Sequence, residues 1–189
     1  MITLIIVDCQ NDFITGTVML NKGARNVLEE IKKFVKSHKN EIEKIIFTIE
    51  WHPYNHTSFK RYGGTYPNHC VQFTPGACIE PKLLKFIQSM DINYEVSTRG
   101  EIEEVDQLGA FDSIEYVQDC LGDRYYFDSI VVANANTEFV VCGVSNGVVP
   151  TIKNMLKEEI IPKIFVGGII SNNNSVSDII KEYKLEKVK

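Results

Sequence analysis

ITLIIV at Ile2–Val7, followed at once by the acid Asp8, decides the fold class of this chain. A strand that is apolar on both faces needs cover on both faces, which is typical of parallel sheets in α/β proteins. No basic residue precedes the run and an acid closes it, so we interpret it as a buried strand and not as a signal peptide.

Short apolar runs alternate with helical patterns along the rest of the chain. Strands are predicted over 45–49, 92–96, 139–144 and 164–166, and helices over 24–37, 82–90, 148–156 and 175–183. Strands that alternate with helices form parallel sheets through right-handed crossovers. We therefore expect an α/β fold: one three-layer, doubly wound domain over 1–189 with a mostly parallel sheet.

Two segments do not fit this alternation. Residues 53–81 form a long stretch with little periodicity, and a loop of that length in a compact domain usually has a function. The segment 112–136 is compatible with a helix followed by a strand and equally with a hairpin.

Composition and charge exclude several classes of protein. The 189 residues are 44% hydrophobic and 24% charged, which excludes a disordered chain. The net charge of −5 lacks the basic footprint of nucleic-acid binders, and no apolar run is long enough to span a membrane. The five cysteines are an odd number without a C-x-x-C pair, so we expect free thiols and a cytoplasmic protein.

Histidines and one acid suggest a metal site. His52, His56 and His69 lie within 18 residues, and Glu50 precedes His52 by two positions at the end of a predicted strand. Imidazole nitrogens with one carboxylate suit a divalent ion such as Zn, Fe or Mn. The spacing alone is also compatible with histidines scattered over a polar loop.

The sequence offers a serine and several cysteines as nucleophiles. Gly143–Gly147 matches G-x-S-x-G between a predicted strand and a helix, the context of a serine-hydrolase elbow around Ser145. That class needs a histidine after the serine, and none follows His69, so a tight glycine turn is the simpler interpretation. No cysteine lies at a predicted helix start, and we expect them to be small buried hydrophobes.

Several segments resemble the nicotinamidase branch of the isochorismatase-like hydrolases. DCQNDF at 8–13 matches the family's D-x-Q-N-D-F opening, and TIEWHP at 48–53 resembles its T-x-D-W-H-P segment. YPNHC at 66–70 resembles W-P-x-H-C, and the turn that begins at Gly143 resembles G-[VL]-x-x-x-x-C-V. The resemblance is specific in the first half of the chain and weak in the second.

The resemblance implies a parallel α/β sheet, a metal held by an aspartate and histidines, and an Asp–Lys–Cys triad that hydrolyses nicotinamide or a related amide. In that reaction the cysteine attacks the carbonyl and ammonia leaves, while the aspartate moves the proton. Backbone N–H groups at a helix start hold the oxyanion. A small-molecule ligand is implied for this chain, and a homo-oligomer is compatible with the resemblance.

The resemblance also assigns roles to residues of this chain, with Asp8 in the acid/base position. The metal positions fall on Glu50, His52, His56 and His69. The substrate-binding positions fall on Phe13, Trp51, Val144 and Ser145. Glu50 stands where the family has an aspartate one methylene shorter. Arg99 stands where the family has lysine, and it keeps the charge but never deprotonates.

The nucleophile position falls on Val149, six residues after Gly143. Valine cannot form a thioester, and loss of the nucleophile from a working triad lowers turnover by on the order of 10⁶ in the serine-protease precedent. Three hypotheses follow. The first is a metal-binding relative that has lost amidase chemistry. The second is a hydrolase of different chemistry, with Asp8 as general acid or Ser145 as nucleophile. The third is a binding or assembly subunit without catalysis.

Overall fold

A computed structural model describes residues 1–16, 18–112, 137–144, 146–170 and 175–189. Ser145 and nearly all of the ambiguous segment 112–136 lie outside these residues. The strands are β1 Ile2–Val7, β2 Ile42–Glu50, β3 Tyr94–Arg99, β4 Glu138–Val144, β5 Lys163–Ile170 and β6 Lys187–Val188. The helices are α1 Asn11–Ile14, α2 Ala24–Ser37, α3 Pro81–Ser89, α4 Val148–Lys157 and α5 Ser175–Glu182.

The six described strands form one sheet in the order β3-β2-β1-β4-β5-β6. Every described pairing is parallel, which confirms the expected doubly wound α/β class and makes the sheet more uniform than the mixed one we allowed for. The strand order reverses between β1 and β4. Ligands in such folds bind beyond the carboxyl ends of the strands at this switch point, so the residues after β1 and β4 mark the expected site.

The side chains of β1 alternate between two apolar cores, one on each face of the sheet. Leu4 and Ile6 join the core formed with α2 and α3. Ile5 and Val7 join the core formed with α4 and α5. The fold therefore has three layers, as a strand without a polar face requires. No helix within the described ranges is long and apolar enough to cross a bilayer.

Gly143 allows the two central strands to approach each other at the switch point. It pairs with Val7, the last residue of β1, and its φ of +139° lies where side chains are rarely tolerated. A Cβ atom at this position would collide with the backbone of Val7. The glycine therefore brings the end of β4 directly against the end of β1.

Candidate metal and ligand site

Three charged side chains lie at the carboxyl ends of three neighbouring strands. Asp8 follows β1, Glu50 ends β2 and Arg99 ends β3, with Glu50 and Arg99 paired across the sheet. Asp8 has a left-handed backbone with φ of 54°, which is uncommon for a residue other than glycine. Strained backbone of this kind clusters at functional sites, and here it turns the chain at the centre of the sheet edge.

Arg99 joins two carboxylates. Its Nη1 and Nη2 atoms donate to the two oxygens of Asp8 at 2.5 and 2.6 Å, and Nη2 also donates to Glu50 Oε1 at 2.9 Å. Burial alone would lower the pKa of Arg99, but the charges of Asp8 and Glu50 outweigh it and raise that pKa. The three groups form a buried ionic unit in which both Asp8 oxygens accept hydrogen bonds from one guanidinium.

Glu50, His52 and His69 place three ligand atoms within 4.8 Å of one another. Glu50 Oε2 lies 2.9 Å from His69 Nε2 and 3.4 Å from His52 Nε2. The Nδ1 atom of His52 contacts the Gly100 carbonyl oxygen at 3.0 Å, and that of His69 contacts the Pro67 carbonyl oxygen at 2.8 Å. Because a carbonyl only accepts, each Nδ1 carries a proton, and each Nε2 faces Glu50 Oε2.

This arrangement fits a divalent metal ion. Two imidazoles and one carboxylate are a common donor set, and three protein ligands leave coordination positions for a ligand or water. The carbonyl contacts of both Nδ1 atoms are the second hydrogen bond that usually orients a metal-binding histidine. Burial alone would raise the pKa of Glu50, but Arg99 and the two histidines outweigh it and hold that pKa well below its usual value. Glu50 is therefore ionised, as a ligand must be.

His56, the fourth expected ligand, is not brought into this group. Its Nε2 contacts the Val105 carbonyl oxygen at 3.0 Å, and its Nδ1 accepts from the Ser58 N–H at 3.2 Å. Both ring nitrogens are thus engaged, and the ring lies beside His52 with centroids 4.2 Å apart. The sequence gives residue types near a site but not which ring nitrogens face it.

The sequence did not single out Gln10, which holds Glu50 in place. Its amide nitrogen donates to the backbone oxygens of Glu50 and Ala77 at 2.7 and 2.8 Å, and its Oε1 accepts from the Glu50 N–H at 2.8 Å. Asp12 accepts from the Cys70 N–H at 2.7 Å. The sequence feature that could have revealed these roles is the polar stretch Gln10–Asp12 shortly after an apolar strand. The structure adds that Gln10 is fully buried.

A cavity of about 120 Å³ lies beside the metal-binding group and the start of α4. Phe13 lines it, as expected for a substrate-binding residue, and Gly147 lines it from the start of the helix. Trp51 and Val144 are not among its described lining residues. Trp51 packs against Phe73 with ring centroids 5.5 Å apart, and Val144 is buried in the core. Ser145 lies outside the described residues.

The start of α4 packs against the Asp8–Arg99 pair through a glycine. A Cβ atom on Gly147 would collide with Asp8 Oδ2 and Arg99 Nη2. Val149, the expected nucleophile position, is half-buried and packs against the core on the α4 side of the sheet. The described part of this helix start presents backbone and apolar groups to the site, and no thiol.

The described cysteines near Asp8 are not activated thiols. Cys9 and Cys70 are buried, and burial raises the pKa of both, with nearby carboxylates raising it further. A nucleophilic cysteine needs an electropositive, accessible setting that lowers its pKa. Burial and the neighbouring carboxylates therefore disfavour the thiolate form of both cysteines.

Comparisons with known proteins agree with this geometry. The model of the Isochorismatase domain family matches residues 3–87. A nicotinamidase of Escherichia coli K12 is 27% identical over 158 residues, which cover 73% of this chain and 71% of that protein. The chain is therefore similar to nicotinamidases and, over residues 3–87, to the Isochorismatase domain. This confirms the resemblance found in the sequence motifs.

Solved structures share the isochorismatase fold along the whole chain. The pyrazinamidase of Pyrococcus horikoshii in complex with zinc has a TM-score of 0.73 at 21% identity, covering 100% of this chain and 98% of that one. The yeast nicotinamidase bound to the inhibitor nicotinaldehyde has a TM-score of 0.80 at 19% identity, covering both chains completely. At these identities the likeness establishes the fold, and the site chemistry must be argued from this chain's own residues.

Proposed function

We propose that this protein binds a divalent metal ion and a small amide-type ligand, without thiol-based amide hydrolysis. The observation that carries the proposal is the Glu50–His52–His69 group beside the cavity. The sequence prediction that the nucleophile position falls on Val149, an alkyl side chain, supports the absence of thiol chemistry.

Glu50, His52 and His69 would hold the ion, and zinc, iron and manganese all suit these donors. When bound, a divalent ion supplies a Lewis-acid contact for a ligand nitrogen or oxygen. Gln10 fixes the Glu50 backbone, and Arg99 holds the carboxylate oxygen that faces away from the histidines. The pyrazinamidase that was solved with zinc has the same fold, which supports a metal here.

Asp8 is poorly placed to act as an acid or base. A general acid must carry a proton, and a general base must present a free oxygen to its substrate. Both Asp8 oxygens accept hydrogen bonds from Arg99, so the guanidinium competes with a substrate for them. This geometry favours binding over isochorismatase-type acid catalysis.

The decisive experiment combines metal analysis with an ammonia-release assay on nicotinamide. We expect purified protein to hold about one divalent ion per chain and to release no ammonia above background. Glu50→Gln should lose the ion, while Glu43→Gln, an exposed change on the same strand, should retain it. A wild-type protein without metal affinity would overturn the metal assignment.

The same assay tests the hydrolase alternatives. Ammonia release that disappears in Asp8→Ala would contradict the loss of amidase chemistry. Release that disappears in Ser145→Ala would instead assign the nucleophile to that serine. A cytoplasmic location and a homo-oligomeric state remain predictions from the sequence, to be checked by cell fractionation and by light scattering of the purified protein.

A further inference from the structure

Asn21 has a buried oxygen that nothing in the described structure satisfies. The residue is only 3% exposed, yet it lines the cavity beside the metal-binding group. Its Nδ2 donates to the Met19 carbonyl oxygen at 3.3 Å, whereas its Oδ1 has no hydrogen-bond partner among the described residues. Buried polar atoms without partners are rare in folded proteins, so this one needs an explanation.

The backbone and the amide nitrogen fix the orientation of this side chain. The Asn21 N–H donates to the Phe13 oxygen at 2.9 Å, and its carbonyl accepts from the Ala24 N–H at 3.0 Å. Exchanging the two amide atoms would turn Oδ1 towards the Met19 carbonyl, and two acceptors would then face each other. The unsatisfied atom is therefore an acceptor, and it requires a donor.

The charges around the cavity favour a ligand that brings donors. Glu50 and Asp106 are acids in the wall, and the described lining residues include no lysine or arginine. The nearby Arg99 directs both Nη atoms at Asp8 and Glu50 and is not among the described lining residues. A ligand carboxylate brings no donor for Asn21 Oδ1, whereas an N–H group would satisfy it.

We propose that Asn21 is a specificity-determining residue whose Oδ1 accepts a hydrogen bond from an N–H group of the ligand in this cavity. The inference deepens the proposed function and rests on it, because it assumes that a small ligand occupies the cavity. It selects ligands that bear a primary amide or amine over ligands of the same shape without that donor. Sites built around a ligand donor discriminate strongly, because an analogue without the donor leaves a buried group unpaired.

The test compares ligands that differ in one group. Isothermal titration calorimetry on the zinc-loaded protein would measure the affinity for three ligands: nicotinamide, nicotinate and 3-acetylpyridine. The last of these replaces the amide nitrogen of nicotinamide with a methyl group. We expect nicotinamide to bind about ten- to a hundredfold more tightly than 3-acetylpyridine. Nicotinate, which also lacks a donor for Asn21 Oδ1, should bind more weakly than nicotinamide.

Variants then assign the preference to Asn21. Asn21→Leu should remove the preference for nicotinamide while 3-acetylpyridine binds about as in the wild type. Asn26→Leu, an exposed change on α2, should behave as the wild type. Measuring the zinc content of each variant checks that its fold and metal site are intact.

The outcomes separate the two proposals. Equal wild-type affinity for nicotinamide and 3-acetylpyridine would overturn the role of Asn21 and leave ligand binding standing. A preference that survives in Asn21→Leu would overturn it as well. Failure of the zinc-loaded wild type to bind any of the three probes would overturn the proposed ligand function and this inference with it.

Discussion

Arg99 reaches from the edge strand β3 across β2 to Asp8 at the end of β1, 91 positions earlier in the chain. Its Nη2 atom also donates to Oε1 of Glu50, the last residue of the intervening strand β2. One guanidinium therefore ties together the ends of three strands, one of them at the switch point. This connection couples the stability of the sheet edge to the geometry of the metal-binding carboxylate.

The first prediction concerns that buried ionic unit. Arg99→Met should lower the free energy of unfolding by about 3–5 kcal/mol, because Asp8 and Glu50 would remain buried without a counter-charge. Urea denaturation of the metal-free protein measures the change. Lys33→Met, which removes an exposed pair with Glu30, is the matched control and should be nearly neutral. Equal effects of the two changes would show that Arg99 does not hold the site together.

The second prediction concerns the start of α4. Gly147 is the N-cap residue of α4, and its φ of −70° imposes no backbone strain on a side chain. We nevertheless expect Gly147→Ala to destabilise the protein by about 1–3 kcal/mol, because the new methyl group would overlap Asp8 and Arg99. Thermal unfolding checks this, with Asn146→Ala at the exposed neighbour as control. A stabilised Gly147→Ala variant would mean that the helix start lies further from the ionic pair.

The third prediction concerns the support of Glu50. Gln10→Leu should weaken zinc binding by about 10–100-fold, because the amide that holds both backbone groups of Glu50 would be lost. A chelator competition assay measures the affinity. Gln88→Leu makes the same chemical change at an exposed position on α3 and should leave the affinity unchanged. Unaltered zinc binding in Gln10→Leu would remove Gln10 from the support of the metal group.

The sequence predicted the fold best where apolar patterning was strongest. Expected bounds and observed bounds agree for Ile2–Val7 and for Ala24–Ser37, because buried positions dictate both elements. The observed bounds of β3, Tyr94–Arg99, differ from the predicted 92–96. This edge strand is largely exposed, and its extent follows the register with β2. The difference matters for function because it places Arg99 at the strand end beside Glu50.

The predicted strand at 164–166 was too short because the glycines that follow it suggested an end to the strand. The strand was expected to end before Gly167, but it runs through both glycines to Ile170, which pairs with Val144. Gly168 has no room for a side chain beside Phe165, so tertiary packing and not a turn explains it. α1 and β6 are too short for a periodic pattern and were not predicted.

The site was only partly accessible to sequence reasoning. Spacing predicted Glu50, His52, His56 and His69 as metal ligands, and the structure brings Glu50, His52 and His69 into one candidate metal-binding group. The engagement of His56 by Val105, and the unsatisfied oxygen of Asn21, depend on contacts between distant segments. No local pattern encodes such contacts, so they emerge only once the chain is folded.

The fourth prediction concerns thiol reactivity. Among the four cysteines of the described residues, Cys78 is exposed, whereas Cys9, Cys70 and Cys142 are buried. Burial raises the pKa of Cys142 and of the other two buried thiols, so each reacts slowly at neutral pH. A maleimide pulse on the native protein, followed by peptide mapping, should label Cys78 before the three buried cysteines, and Cys78→Ser should remove that label. Rapid labelling of Cys70 would reveal an activated thiol beside Glu50 and contradict a site without a nucleophile.

The last prediction concerns a cysteine nucleophile introduced at position 149. Val149→Cys with Arg99→Lys should gain ammonia release from nicotinamide, because a thiol would stand at the start of α4 and a single ammonium would free one oxygen of Asp8. Val148→Cys with Arg99→Lys is the matched control: it places the same thiol one residue earlier, where the side chain is fully buried in the core, and should stay inactive. The gained activity should disappear when Asp8→Ala is added. If both cysteine variants release ammonia equally, or neither does while still binding zinc, position 149 is not where the attacking group belongs.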